Sequence, residues 1–201
     1  MSATGSKAVR LANKVSGSDL EAVLNDIVAE GFKLHVFHSK DLPKSTQEGI
    51  WQALEENMKE LYANSSTGWH PDDKRAELFH SLSRFIVAHP ENESDTLAAY
   101  TMFRFEYEQG SDILYCYELQ VLESYQRKSL GRLLMKALEC IAQKWKMDQI
   151  MLTVFKANNR ACQFYKAIGF TLDPTSPTEE DVEEFGIVDY EILSKTVTRS
   201  V

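Results

Sequence analysis

Apolar positions fall into two rhythms along this chain. From Val9 to Glu30, Leu20, Val23, Leu24, Ile27 and Val28 share one helical face, and Gly31 supplies a stop. Phe32 to Phe37 reads as a strand or extended link. Ser45 with Glu48 forms a capping-box pattern, followed by a helical stripe of Ile50, Trp51, Leu54, Met58 and Leu61. Gly68 closes that region, and Pro71 opens a short helix through Leu78 and Phe79. The rhythm then changes. Ser83 to Ala88, Leu97 to Tyr107 and Ile113 to Val121 are rich in aromatic and branched residues. Turn chemistry at Pro90-Glu91-Asn92 and Gly110-Ser111-Asp112 separates them, which predicts an antiparallel meander. Leu130, Leu133, Leu134, Ala137, Leu138, Ile141, Ala142 and Trp145 then mark a buried helix face. Gln149 to Phe155 predicts a strand, Asn159 to Ala167 a helix stopped at Gly169, and Phe170 to Leu172 and Tyr190 to Leu193 terminal strands. Pro174 to Glu184 is acidic and contains proline, the chemistry of a surface loop.

This order predicts a mixed α/β fold without internal repeats. The 201 residues suffice for one domain with a real core. Residues 1–8 are small and polar and read as a flexible tail; 9–201 read as a single domain with an N-terminal helical segment. No apolar run reaches the length of a membrane span, and no secretory signal is indicated. Cys116, Cys140 and Cys162 are odd in number and lack a Cys-x-x-Cys pair. That suits a reducing compartment and argues against structural zinc or a disulfide framework. The net charge of −8 is opposite in sign to that of a general nucleic-acid binder. Acidity can attract a basic peptide, although mild acidity is also ordinary.

The chemistry begins at Gln126-Arg127-Lys128-Ser129-Leu130-Gly131. A basic, small-residue loop that enters a helix gathers backbone N–H groups at a positive helix end, which makes an anion site; a plain turn would use similar residues. The hexapeptide resembles the Gln/Arg-x-x-Gly-x-Gly/Ala signature of the GNAT superfamily of N-acetyltransferases, with Ser129 in place of the first glycine. Asn158, Ala161 and Phe164-Tyr165 ahead of Gly169-Phe170 match the other half of that pattern. The resemblance implies a GNAT fold: a central, mostly antiparallel sheet with two splayed strands, flanked by helices, and acetyl-CoA held in the splay. Cofactor contacts implied in this way are Leu119, Gln120 and Val121 through backbone bonds, then Arg127, Lys128, Ser129, Leu130, Gly131 and Arg132, then Asn158 on the pantetheine arm. Ser129 costs little if its φ is negative, is strained if φ is positive, and could instead offer its hydroxyl to a phosphate.

Further strings narrow the resemblance. Asn57-Met58-Lys59-Glu60-Leu61-Tyr62 with Gly68-Trp69, Phe103-Arg104-Phe105-Glu106-Tyr107-Glu108, Leu114-Tyr115-Cys116-Tyr117-Glu118, Met151-Leu152-Thr153-Val154-Phe155-Lys156 and Tyr190-Glu191-Ile192-Leu193-Ser194 look like the NatD type of N-alpha-acetyltransferase. That family acetylates the N-terminal serine of histones that begin Ser-Gly-Arg-Gly. The resemblance runs from about Glu48 to Ser194. It implies substrate contacts at Tyr62, Glu106, Tyr107, Glu108, Tyr115, Tyr117, Thr153 and Tyr190. Alternation on a strand puts Glu106 and Glu108 on one face, as it does Tyr115 and Tyr117. Two such carboxylates can hold a substrate arginine, though the same pair suits a solvated strand end. The family carries an aromatic where this chain has Thr67, so that wall of the slot is expected to be more open.

An α-amine has a pKa near about 8 against roughly 10.4 for lysine, so a modest base suffices. Glu118 is the candidate, directly or through one water, with backbone N–H groups at the splay for the oxyanion. Tyr165 is the candidate proton donor to the leaving thiolate by analogy with the superfamily. No histidine adjoins a cysteine in sequence, which argues against an acetyl-cysteine route. The resemblance further implies no metal, no direct nucleic-acid or membrane partner, no obligatory auxiliary subunit, and residence in cytoplasm and nucleus. A lysine or polyamine acetyltransferase of the same fold, or an acetyl-CoA-binding regulator without turnover, stays open.

Overall fold

The computed structural model describes residues 6–93, 95–178 and 187–198. Helices α1 (Lys7–Ala12) and α2 (Gly17–Ala22) lead into β1 (Phe32–His38), α3 (Lys44–Ala63) and α4 (Pro71–Leu78). Strands β2 (Arg84–Pro90), β3 (Ala99–Glu108) and β4 (Ser111–Val121) follow as the expected meander. Helix α5 (Leu130–Lys144), β5 (Gln149–Phe155), α6 (Asn159–Ala167), β6 (Thr171–Leu172) and β7 (Tyr190–Thr196) complete the order. Among the described residues the strands form one sheet in the order β1-β2-β3-β4-β5-β7-β6. Only the β4–β5 pair is parallel. The mixed α/β expectation is met, with helices on both faces of an open sheet.

The sheet faces are read from alternation. Phe85 and Val87 of β2 and Tyr100 and Met102 of β3 pack with Ile50 and Leu54 of α3 and Leu78 of α4. Ile86, Ala88, Phe103 and Phe105 face the other way, into a core with Leu134, Leu138 and Ile141 of α5 and Leu20 of α2.

Local expectations need four corrections. The segment from Val9 to Glu30 is two short helices rather than one, because Ser16 caps a new start through the N–H of Asp19. Val28, placed on its apolar face, is 82% exposed. Ser6 accepts from the N–H groups of Ala8 and Val9, so helix begins inside the expected tail; residues 1–5 lie outside the described residues. The Ser45/Glu48 capping box does not form: α3 starts at Lys44, two residues before the start a Ser45 cap implies, and no side chain caps it. The predicted acidic loop falls outside the described residues from Glu179 onward.

Buried Arg84 fastens the N-terminal segment to the sheet. Its guanidinium donates to Asn13 O at 2.9 Å, Asn13 Oδ1 at 3.2 Å and Leu82 O at 2.8 Å. Burial pulls its pKa down to about 10.

Candidate active site

Strands β4 and β5 run side by side only from Ile113 opposite Gln149 to Cys116 opposite Leu152. Beyond that point β4 continues to Val121 and β5 to Phe155 without pairing to each other. The splay opens a cleft of about 1280 Å³, walled by both strands, the end of α3, the α3–α4 loop and the start of α5 and α6. That exceeds the ~300–1,000 Å³ of an ordinary ligand pocket and suits two substrates end to end.

One end of the cleft is built for an anion. Arg127 and Ser129 both lie in the left-handed region, at φ 62° and 63°. Such turns aim successive N–H groups at one point, here at the positive end of the 15-residue α5. Ser129 therefore sits in the strained conformation, and its side chain makes no capping bond. Gly131 lets the ring of Phe164 come close: a Cβ there would lie 3.3 Å from it. Arg160 donates to Gln126 Oε1 at 3.0 Å and ties α6 to the turn. Leu119, Gln120, Val121, Arg127, Ser129, Leu130, Gly131, Arg132 and Asn158 all line the cleft. Lys128 does not; its ammonium lies 5.0 Å from the centre of the Tyr125 ring. The Asn158 side-chain oxygen accepts Ala161 N–H at 3.2 Å and caps α6. This end fits a pyrophosphate and its attached arm.

The other end is acidic and aromatic. Glu106 and Glu108 both line it. Tyr117 donates to Glu106 at 2.8 Å, and the Arg104 guanidinium covers the Tyr117 ring at 4.3 Å. Partial burial, then neighbouring Glu106 and Asp173, raise the pKa of Glu108. Tyr115 meets Thr153 through their hydroxyls at 2.5 Å. Burial pushes its phenol up to about 12. Tyr62 stands edge-on to Phe155 at 4.9 Å, and Tyr190 and Thr67 complete this wall. Tyr107 is the correction: alternation turns it to the opposite face, where it is 45% exposed and outside the cleft.

Glu118 lies between the two ends, 4% exposed. Strict alternation would hide it beside Cys116. A bulge intervenes: Phe103 pairs with Cys116, Met102 pairs with Glu118, and Tyr117 is the extra residue. The face therefore switches, and Glu118 follows Tyr117 onto the α3–α4 side. There it accepts Lys74 Nζ at 2.9 Å on one oxygen and Gln120 Nε2 at 2.9 Å on the other. Gln120 in turn accepts from Asn57 Nδ2 at 3.0 Å. Tyr165 also lines the cleft, and burial holds its hydroxyl protonated far above neutral pH.

The partners Lys74, Glu77 and Asn57 were not picked out in the sequence as site residues. Asn57 sat inside a string used for the resemblance, but Lys74, within Asp-Asp-Lys-Arg, reads as a solvated helix face. Among the described residues no cluster of His, Cys, Asp or Glu could hold a metal. The described cysteines are all free, and Cys116 is buried, its thiol pushed up to about 12. A buried, protonated thiol has little nucleophilic use.

A model of the acetyltransferase (GNAT) family matches residues 50–170, more than half of the chain. The chain belongs to the GNAT acetyltransferase family. The match spans both ends of the cleft, from α3 to the end of α6. Solved structures agree on the fold. Arabidopsis thaliana NAA60 in complex with a bisubstrate analogue is 13% identical, with TM-score 0.58, covering 84% of this chain and 100% of that one. Arabidopsis thaliana Naa50 with the bisubstrate analogue CoA-Ac-MVNAL is 20% identical, with TM-score 0.53, covering 82% and 98%. PaiA N-acetyltransferase from Thermoplasma acidophilum in complex with coenzyme A is 16% identical, with TM-score 0.58, covering 82% and 98%.

Proposed function

We propose that this GNAT acetyltransferase moves acetyl from acetyl-CoA to the α-amine of protein N-termini that begin Ser-Gly-Arg-Gly, as histone tails do. One observation carries the reading: a single cleft joins the anion-binding turn to an end where Glu106 and Glu108 share a face. Two convergent carboxylates match a guanidinium at the third substrate position. The tyrosines around them leave a slot suited to a small first residue. The NatD-like strings support the choice of substrate, and the splayed strands with the left-handed turn support acetyl-CoA.

Bound acetyl-CoA supplies the thioester: the amine nitrogen bonds to the acetyl carbon, the carbon–sulfur bond breaks, and one amine proton ends on the sulfur. Arg127 to Arg132 hold the phosphates by main-chain N–H groups and charge. The edge of β4 past Cys116 offers main-chain groups along the splay. Glu118 accepts a hydrogen bond from the incoming amine, directly or through a water, and orients it. Tyr165 holds a proton that can pass to the leaving sulfur. The proposal places the enzyme in cytoplasm and nucleus, acting without an obligatory auxiliary subunit.

The test is transfer to a Ser-Gly-Arg-Gly-Lys peptide with its N-terminus free or chemically blocked, with mass spectrometry locating the acetyl group. Transfer to the free α-amine alone is expected. Transfer to lysine in the blocked peptide would replace this reading with a side-chain acetyltransferase.

A further inference from the structure

Lys74 lies deep in the reacting end of the cleft, its side chain 12% exposed. Its Nζ is 2.9 Å from Glu118, 2.5 Å from Glu77 and 4.9 Å from the centre of the Tyr62 ring. Burial works to lower its pKa; Glu118, Tyr62 and Glu77 outweigh burial and keep it an ammonium. The ionisable groups around this point are Tyr62 of α3, Glu77 of α4, Tyr100 of β3, Cys116 and Glu118 of β4, and Tyr165 of α6. Burial keeps the phenols and the thiol neutral, Tyr62 and Cys116 titrating only at about 12. The charged side chains in direct contact here are Lys74, Glu77 and Glu118; His70 and Asp73 also line the cleft.

A bare carboxylate here would oppose the chemistry it is meant to assist. Only a neutral amine can attack, yet an opposite charge within ~4–6 Å favours a group's charged form by about 1–3 pKa units. We propose, on the basis of the acetyl-transfer reading above, that Lys74 is a positioning residue. It is a standing counter-ion that lets Glu118 orient the substrate amine without trapping it as ammonium. Gln120 and Asn57 complete the arrangement by fixing the second carboxylate oxygen. Each Glu118 oxygen keeps room for one further donor, so the incoming amine or its water can still bind.

The test compares wild type, Lys74→Gln and Lys74→Arg on Ser-Gly-Arg-Gly-Lys across pH. In Lys74→Gln the bound amine should hold its proton more firmly. The acidic limb of the kcat profile should then move up by about one pH unit, and kcat at pH 7 should fall about tenfold. The peptide KM should stay level or drop, and the acetyl-CoA KM should not change. Lys74→Arg should restore most of the rate. A fall in kcat with a higher peptide KM and an unmoved acidic limb would make Lys74 a structural prop and overturn the proposal.

A second measurement needs no variant: wild-type affinity for the peptide and for its des-amino analogue at pH 7. Near-equal affinities support the counter-ion. A preference for the amine on the order of a hundredfold would mean that Glu118 acts as an uncompensated anion, and would overturn it. If wild type binds the peptide but transfers acetyl to no free α-amine, the N-terminal reading fails while the affinity ratio still reports on Lys74.

Discussion

Ser129→Gly should make this protein more stable. Ser129 opens α5 at φ 63°, ψ 6°, and its side chain makes no capping bond to offset that conformation. The left-handed region costs an L-residue about 1–2 kcal/mol, because Cβ crowds the following carbonyl. Glycine escapes that cost but loses more freedom on folding, worth about 0.4–1 kcal/mol in the opposite direction. The difference favours glycine by about 0.5–1 kcal/mol. For a chain of this size each kcal/mol moves Tm by about 2–4 °C, so the gain should be about 1–4 °C. Thermal unfolding without acetyl-CoA measures it, with Ser129→Ala as the control, since alanine keeps the Cβ. Ser129→Ala should not rise. If Ser129→Gly left Tm unchanged, or if alanine raised it as much, strain at this position would not be the operative term. A separate outcome concerns the hydroxyl. If it meets a phosphate of bound acetyl-CoA, both variants should bind acetyl-CoA about ten- to a hundredfold more weakly, since a hydrogen bond to a charged group contributes about 1.5–3 kcal/mol.

Glu118→Gln should lower turnover at least tenfold with little change in acetyl-CoA affinity; unchanged turnover would remove Glu118 from the chemistry. Glu106→Ala with Glu108→Ala should raise the KM of an Arg-containing peptide and leave an Ala-for-Arg peptide unaffected, and equal wild-type KM values for the two would sink the arginine anchor. Glu108 has a raised pKa, so it neutralises sooner than an ordinary glutamate as pH falls, and the Arg-peptide KM should climb earlier in mild acid than the Ala-peptide KM. Asp173 works in the opposite sense. Burial would raise its pKa, but bonds from Ser194 and Thr175 outweigh burial and lower it. Its stabilising contribution is therefore present above the unfolded aspartate pKa and is lost as pH falls through the lower folded value. Denaturant titrations should show Asp173→Asn costing about 1–3 kcal/mol at pH 7, with the gap closing in acid; a gap constant with pH would refute that linkage.

The elements were legible wherever periodicity is enforced by two-sided burial. Helix α5 and strand β5 came out as read, since Leu134, Leu138 and Ile141, or Ile150 and Leu152, have no solvent alternative. The N-terminal segment misled because Val23 and Ile27 pack against the core from beyond the end of α2, while Val28, at the same helical spacing, faces solvent. The anion turn was legible because its residues are contiguous and its chemistry is local. Even there, the sign of φ at Ser129 could not be read from residue type, since serine is a poor reporter of the left-handed region.

The centre of the site was the least legible part, and the reason is geometric. Period-two alternation through Tyr115, Cys116, Tyr117 and Glu118 assigns Glu118 to the face of Cys116, away from α4. A single extra residue at Tyr117 reverses that assignment. Nothing in Leu-Tyr-Cys-Tyr-Glu-Leu-Gln marks the bulge, because neither glycine nor proline is needed for it. The same event explains why Lys74 escaped notice. A lysine four residues into a short polar helix has no sequence reason to be buried, and becomes buried only because the bulge delivers a carboxylate to it. The bulge places the charge, and the burial of Lys74 then depends on that charge rather than on Tyr117 itself. Removing Tyr117 would restore regular alternation with Phe103 opposite Cys116 and Met102 opposite Glu118, so Glu118 would keep its place beside Lys74 while the Tyr117 bond to Glu106 is lost. Glu118→Leu, which strips buried Lys74 of that carboxylate, should instead lose several kcal/mol of stability, because a buried charge without its partner costs about 3–5 kcal/mol. Glu118→Gln should be milder than Glu118→Leu, since its amide oxygen can still accept from Lys74, although its NH2 then meets the Gln120 donor. Equal stability of Glu118→Leu and Glu118→Gln in denaturant titrations would mean that this side chain does not hold Lys74 in place, and would refute the reasoning.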